Sequence, residues 1–183
     1  MARVIAGMTL SLDGFVADRN GSADVLYPDL EALRGTPYME SMIAETGAVV
    51  MGRRAFAMAE DPDYYVGNYE LQVPIFVVTH QAPEKHPAED EHLTFTFVTD
   101  GAASAVAQAK VAAKDRDVTV IGGASTIRQL LDAALVDELR IDVMPVLLGE
   151  GLPLFTRGQQ RHLEKISVEE IGARTSLRFR MRH

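Results

Sequence analysis

The sequence predicts a three-layer α/β fold: a mostly parallel central sheet with helices on both faces and antiparallel strands at its C-terminal edge. Three observations carry this. Apolar strand-like runs alternate with helical patterns through most of the chain, the order that builds a parallel sheet. Residues 118–121 are a β-branched run without alternation, which suits a central strand covered on both faces. The last strands follow one another without helices. Among them, residues 175–181 alternate cleanly, with Leu177, Phe179 and Met181 against Arg178, Arg180 and Arg182, as in an antiparallel strand with one polar face. The three arginines are expected to solvate that face.

In order, residues 3–12 read as the first strand. Residues 11–17 add an Asp-Gly turn and a short apolar piece. Residues 18–33 look irregular, and a loop of that length suggests a lid over a site. Thr36-Pro37 opens a helix, with a Thr cap, Pro at the first position and Glu40 close behind, and Gly47 is expected to end it. Residues 48–51 form a short buried strand, Gly52 turns the chain, and Arg53-Arg54 begin another helix. A loop over 60–72 leads to a buried strand at 75–79. A charged loop follows at 82–92; its His86 and His92 have no chelating spacing, so no metal is expected. Residues 93–98 form a strand, and Thr99 or Asp100 caps a helix to about Lys114. After the strand at 118–121, Gly122-Gly123 turns into a helix whose apolar positions are Ile127, Leu130, Leu131, Ala134 and Leu135. Strands over 137–145, 162–171 and 175–181 complete the chain, with a turn at 147–151 and a short apolar follow-on at 152–155.

The 183 residues fit one domain, 1–183, large enough to bury about 70% of the unfolded chain's surface. A formal charge of −8 disfavours nucleic acid or an anionic membrane as partner. The chain has no cysteine, which excludes disulfides, zinc fingers and a thiol nucleophile and accords with a reducing cytoplasm. The N-terminal apolar run is too short for a signal peptide or a membrane span.

Three strand ends carry similar chemistry: Gly52-Arg53-Arg54, Thr79-His80, and Gly122-Gly123-Ala124-Ser125-Thr126. In a parallel sheet all three lie at one edge, where ligands of open α/β sheets bind. Glycines at a strand-to-helix turn either let the backbone approach an anion or merely turn the chain. Arginines in a first helical turn oppose the helix dipole and so hint at a bound anion. Together the three ends suit a ligand with more than one phosphate, such as a dinucleotide.

Here the sequence resembles a known family. Val50-Met51-Gly52-Arg53-Arg54-Ala55-Phe56 is similar to the M-G-R motif of dihydrofolate reductases, and residues 118–126 to their V-x-V-I-G-G motif. Residues 11–17 (Ser-Leu-Asp-Gly-Phe-Val-Ala), 135–139 and 145–155 resemble the reductase domain of riboflavin-biosynthesis deaminase–reductases. The chain is thus identified as a single-domain member of the riboflavin-reductase-like (RibD C-terminal-domain-like) branch of the dihydrofolate-reductase superfamily. The resemblance implies NADPH as hydride donor, a small heterocyclic substrate (pterin-like or riboflavin-precursor-like), and a homodimer. It places Arg53, with Gly52 and Arg54, at the 2′-phosphate or diphosphate, and Thr79 and His80 by the adenosine 2′-phosphate. Gly122, Gly123, Ala124, Ser125 and Thr126 would line the diphosphate and nicotinamide side, with Val16 and Ala17 bordering the nicotinamide. The proton for the reduced bond would come from water or from an acid such as Asp13 or Glu40. The chain departs from the pattern at Thr36, where folate reductases carry an acid, at Ile121, where riboflavin reductases commonly carry Glu, and at Phe15, where Lys is common. A binding module that holds NADPH with little or no turnover is the competing class.

Overall fold

The computed structural model describes residues 2–156, 158 and 160–182. Among them, the strands β1 (Val4–Ser11), β3 (Thr46–Gly52), β4 (Ile75–Val78), β5 (Phe95–Val98), β6 (Asp117–Ile121), β7 (Glu138–Met144), β9 (Leu163–Ile171) and β10 (Arg174–Met181) form one sheet. Its order is β5-β4-β3-β6-β1-β7-β10-β9. The first six positions run parallel, and β10 and β9 add the antiparallel edge. Two short strands, β2 (Phe15–Ala17) and β8 (Leu152–Pro153), pair separately.

The sheet is covered on both faces. On one, Val4, Ala6, Val50, Val118 and Val120 pack with Ala105 and Ala109 of α5 (Ala102–Ala113) and with Ile127 and Leu130 of α6 (Ala124–Asp132). On the other, Val49, Met51, Ile75 and Val77 pack with Phe56, Tyr65 and Leu71. This second face continues under α2 (Pro37–Glu45), whose Thr36 cap accepts from the Met39 N–H at 3.3 Å.

Several elements differ from the sequence's indications. Gly47 does not end α2. Thr46 already begins β3, and Gly47 lies within the strand because a Cβ there would come within 2.6 Å of the Ala113 carbonyl. The N-cap of α5 is Gly101, not Thr99 or Asp100, and no side chain caps it. The helix after Gly52 is one turn, α3 (Arg53–Phe56). Segment 18–33 is not irregular: it holds a 3-10 turn (Asp24–Leu26) and α1 (Leu30–Leu33), anchored by the buried Leu26 and Leu33.

The arginine stripe also needs correction. Arg180 and Arg182 face solvent, but Arg178 binds Glu138 at 2.7 Å and Glu45 at 3.1 Å beneath α2. Arg140 joins the same Glu45 at 3.1 Å. Arg174 is buried and bidentate to Asp29, at 2.9 and 2.8 Å, tying segment 18–33 to the sheet. The alternation of β7 and β10 therefore separates two buried faces, one apolar and one built of paired charges.

This belt has a pH signature. The hydrogen bonds from Arg174 hold the Asp29 carboxyl below its ordinary value. A depressed folded-state value stabilises the fold fully above the unfolded carboxyl value of about 4, and that contribution is lost as pH falls through the folded value. Asp29→Asn is therefore expected to lower stability at pH 7 and to flatten the acid limb. Urea unfolding at pH 7 and pH 3 checks this; an equally steep acid loss in the variant would contradict it.

Candidate active site

The C-terminal ends of β4, β3 and β6 are neighbours in the sheet, so the three sequence motifs meet at one edge. Gly52 sits opposite Val78, and its N–H donates to the Gly122 carbonyl at 3.0 Å. The two glycine turns touch because neither carries a side chain at the contact. A Cβ on Gly52 would lie 2.7 Å from Thr126 Oγ1 and 3.2 Å from the Gly123 nitrogen. Gly122 has φ +57, a left-handed conformation that favours glycine, and a Cβ there would press Ala55 Cβ at 3.3 Å. Gly122 and Gly123 are joined by a cis peptide.

From this corner α6 runs for nine residues from Ala124, and Ala134 and Leu135 lie beyond its end. Its N-cap, Gly123, offers no side chain, so no side-chain cap claims the first-turn N–H groups. Ser125 is exposed there, while Ala124 and Thr126 are buried. Beside it, α3 is held by Phe56, which stacks on Tyr65 at 5.7 Å and meets Phe95 and Phe97 edge-on at 5.6 and 5.5 Å. The aromatic cluster fixes the turn that carries Arg53 and Arg54. Both arginines are exposed and make no ion pair among the described residues. As a four-residue turn α3 contributes no helix dipole of consequence, so one helix N-terminus, not two, faces the corner.

The remaining expected residues divide. His80 is exposed at the end of β4. Thr79 is buried and its hydroxyl closes its own turn, donating to the Gln81 carbonyl at 2.8 Å and accepting from the Gln81 N–H at 3.3 Å. Val16 and Ala17 bury their side chains in the core on the α5/α6 face. Asp13 is a clamp. Its Oδ1 accepts from Ser11 Oγ at 2.5 Å and the Leu148 N–H at 3.1 Å, and its Oδ2 from the Gly149 N–H at 2.7 Å. The Ser11 hydroxyl foremost, then these N–H groups, hold its carboxyl below the usual range, against the role of proton donor at neutral pH. Glu40 is exposed on α2, and its carboxylate makes no hydrogen bond or ion pair among the described residues.

A second cluster escaped sequence reasoning. Thr9, Asp142 and Ser176 stand side by side on β1, β7 and β10. Asp142 Oδ2 accepts from Arg174 at 2.6 Å and from the Tyr38 hydroxyl at 2.7 Å, while Arg174 also reaches Thr9 Oγ1 at 3.2 Å. Burial, then the neighbouring Asp142 charge, pushes the Tyr38 hydroxyl up. Asp142 Oδ1 is the one buried side-chain polar atom without a partner among the described residues. The only signal in the sequence was Asp142 alternating with Arg140 along β7, which equally suits a solvated face.

Two hollows lie outside the glycine corner. One of about 270 Å³ is lined by Arg128, Leu131, Phe155, Arg161 and Met181. The other, of about 120 Å³, is lined by Tyr38, Ser41, Arg140, Ser176 and Arg178 beside the Asp142 cluster. No group of three or more metal-ligating side chains occurs among the described residues.

The chain is similar to several known proteins. The sequence model of the RibD C-terminal domain matches residues 2–177. The uncharacterized protein YyaP of Bacillus subtilis is 26% identical over 185 residues, covering 94% of this chain and 88% of that protein. A Shewanella sp. PV-4 crystal structure, of a protein provisionally assigned to riboflavin biosynthesis, matches with TM-score 0.77 and 23% identity over all of both chains. Dihydrofolate reductase from Enterococcus faecalis, solved with NADP(H), matches with TM-score 0.63 and 15% identity over 99% of this chain and 97% of that one.

Proposed function

The chain belongs to the RibD C-terminal domain family, and from that premise we propose that it is an NADPH-dependent reductase that delivers hydride to a C=N or C=O carbon of a small heterocyclic substrate, pterin-like or riboflavin-precursor-like. The observation that carries this reading is the meeting of Gly52-Arg53 with Gly122-Gly123-Ala124-Ser125 at adjacent strand ends. The corner suits a dinucleotide: backbone can approach closely at two glycines, the α6 N–H groups are unclaimed by a side-chain cap, and two guanidiniums without an ion pair among the described residues stand beside them.

NADPH, when bound, supplies the hydride. Arg53 would take the 2′-phosphate, with Arg54 and His80 near it. Gly122, Gly123 and the first turn of α6 would take the diphosphate, and the backbone of Val16 and Ala17 would border the ring. Ile121 and Phe15 would give the substrate apolar surroundings, and binding both partners together holds the reactants close. The heteroatom of the reduced bond needs a proton. With Asp13 engaged by Ser11 and two N–H groups, water is the source we assign. Cytoplasmic residence and a homodimer belong to the same proposal, on the strength of the family alone.

The test is incubation of the pure protein with NADPH and pterin, flavin-precursor and quinone-like acceptors, following loss of nicotinamide absorbance. The second reading, an NADPH-binding module without turnover, draws on Thr36 standing where an acid is expected and on the engagement of Asp13. Tight NADPH binding with no oxidation by any acceptor would favour it. Arg53→Ala is expected to weaken NADPH about tenfold or more, and NADH much less, in fluorescence titrations. Equal losses for the two would remove the 2′-phosphate role.

A further inference from the structure

We propose that Asp142 is the specificity-determining acceptor of the substrate site, and that the space over Gly7 receives a flat group presenting N–H donors, neutral or cationic, to Asp142 Oδ1. The inference rests on the reductase reading and names the chemistry its substrate brings.

The first observation is the carboxylate itself. Asp142 is 5% exposed, both donors it meets fall on Oδ2, and Oδ1 is buried with no partner among the described residues. Buried acceptors are ordinarily paired, so an unpaired one marks a place that a ligand or water fills. The second is a gap on the same sheet face. Gly7 lies opposite Arg140, and Asp142 is two residues further along β7. The spacing of strands and residues puts their backbones about 8 Å apart. A Cβ on Gly7 would meet two carbonyl oxygens, each at 4.0 Å, and no side chain of the described residues within that distance. Gly7 is also partly exposed, so the strand is open to solvent there.

The third observation is position. Gly7 also pairs with Ile121, which leads directly into Gly122-Gly123. The space thus lies between the glycine corner and Asp142, where a substrate must sit beside a cofactor. The charges decide the class of ligand. Around Asp142, one guanidinium, Arg174, faces two carboxylates, Asp29 and Asp142, with the neutral hydroxyls of Tyr38 and Thr9. Arg140 and Arg178 nearby are taken by Glu45 and Glu138. The cluster has room for a donor and none for a further anion.

The probes are benzamidine, flat and rich in N–H donors, and benzoate, its anionic counterpart, titrated calorimetrically into NADPH-loaded protein. The wild type is expected to bind benzamidine in preference to benzoate. Asp142→Asn, which keeps the shape but can donate as well as accept, should shift the benzamidine-to-benzoate affinity ratio at least tenfold toward benzoate. A merely structural loss would weaken both alike. Gly7→Val fills the space without touching Asp142 and should weaken benzamidine at least tenfold; it decides the matter if the Asn variant does not fold. No benzamidine binding by the wild type, or an unchanged ratio in Asp142→Asn, overturns the proposal. Unchanged affinity in Gly7→Val overturns the location over Gly7. NADPH binding by the wild type, measured separately by fluorescence, tells failure of the reductase reading from failure of this one.

Discussion

Arg174→Met is expected to lower the unfolding free energy by about 3–5 kcal/mol, the cost of stripping a buried charge network of one partner. The side chain is 2% exposed and holds two carboxylates, Asp29 bidentately and Asp142 at 2.6 Å. Burial disfavours its charge, and the two carboxylates more than offset this and raise its hold on the proton. Methionine nearly matches the volume, so the loss reports electrostatics rather than a cavity. It also unties segment 18–33 from β10. Arg180→Met, on an exposed residue 3.7 Å from Glu164, should change stability by about 0.5 kcal/mol or less. Urea unfolding at pH 7 measures both. A cost under about 1 kcal/mol for Arg174→Met would mean that the belt is solvated rather than desolvated.

Gly52→Ala is expected to weaken NADPH at least about tenfold and to cost about 1–3 kcal/mol of stability through overpacking. The new methyl group would meet Thr126 Oγ1 at 2.7 Å and the Gly123 nitrogen at 3.2 Å, forcing the start of α6 away from β3. Thr126 is buried, so its hydroxyl has little room to yield. Adding Thr126→Ala leaves Thr126 Cβ at 3.8 Å as the nearest side-chain contact and should restore part of the stability. Thermal unfolding and fluorescence titration of the single and double variants check this. Additive losses in the double variant would show that the two residues do not press on one another.

Most of the sheet was legible because its signals are local. Buried apolar runs mark β3, β4 and β6, with glycine closing β3 and β6, and the βα alternation makes them parallel, so their ends had to share an edge. The capped start of α2 was legible at Thr36-Pro37 for the same reason. The fate of individual polar groups was not. The Thr79 hydroxyl closes its own turn, and Asp13 is held by the N–H groups of Leu148 and Gly149, 135 and 136 residues away. Nor was the length of α3, which stops after one turn around the Phe56 aromatic cluster.

By itself, the sequence determined the order of strands and helices, the glycine turns at two strand ends and the arginines beside one of them, since each depends on residues within a few positions of one another. The tertiary structure alone decided which polar stripe would be buried. Alternation in β7 and β10 puts Arg140, Asp142, Arg174 and Arg178 on one face, but what covers that face is α2, whose Tyr38 lies 104 residues from Asp142. A charge beneath a helix must be paired, whereas the same charge in water need not be. That long-range packing turns an ordinary amphipathic pattern into a belt of ion pairs with one acceptor left over.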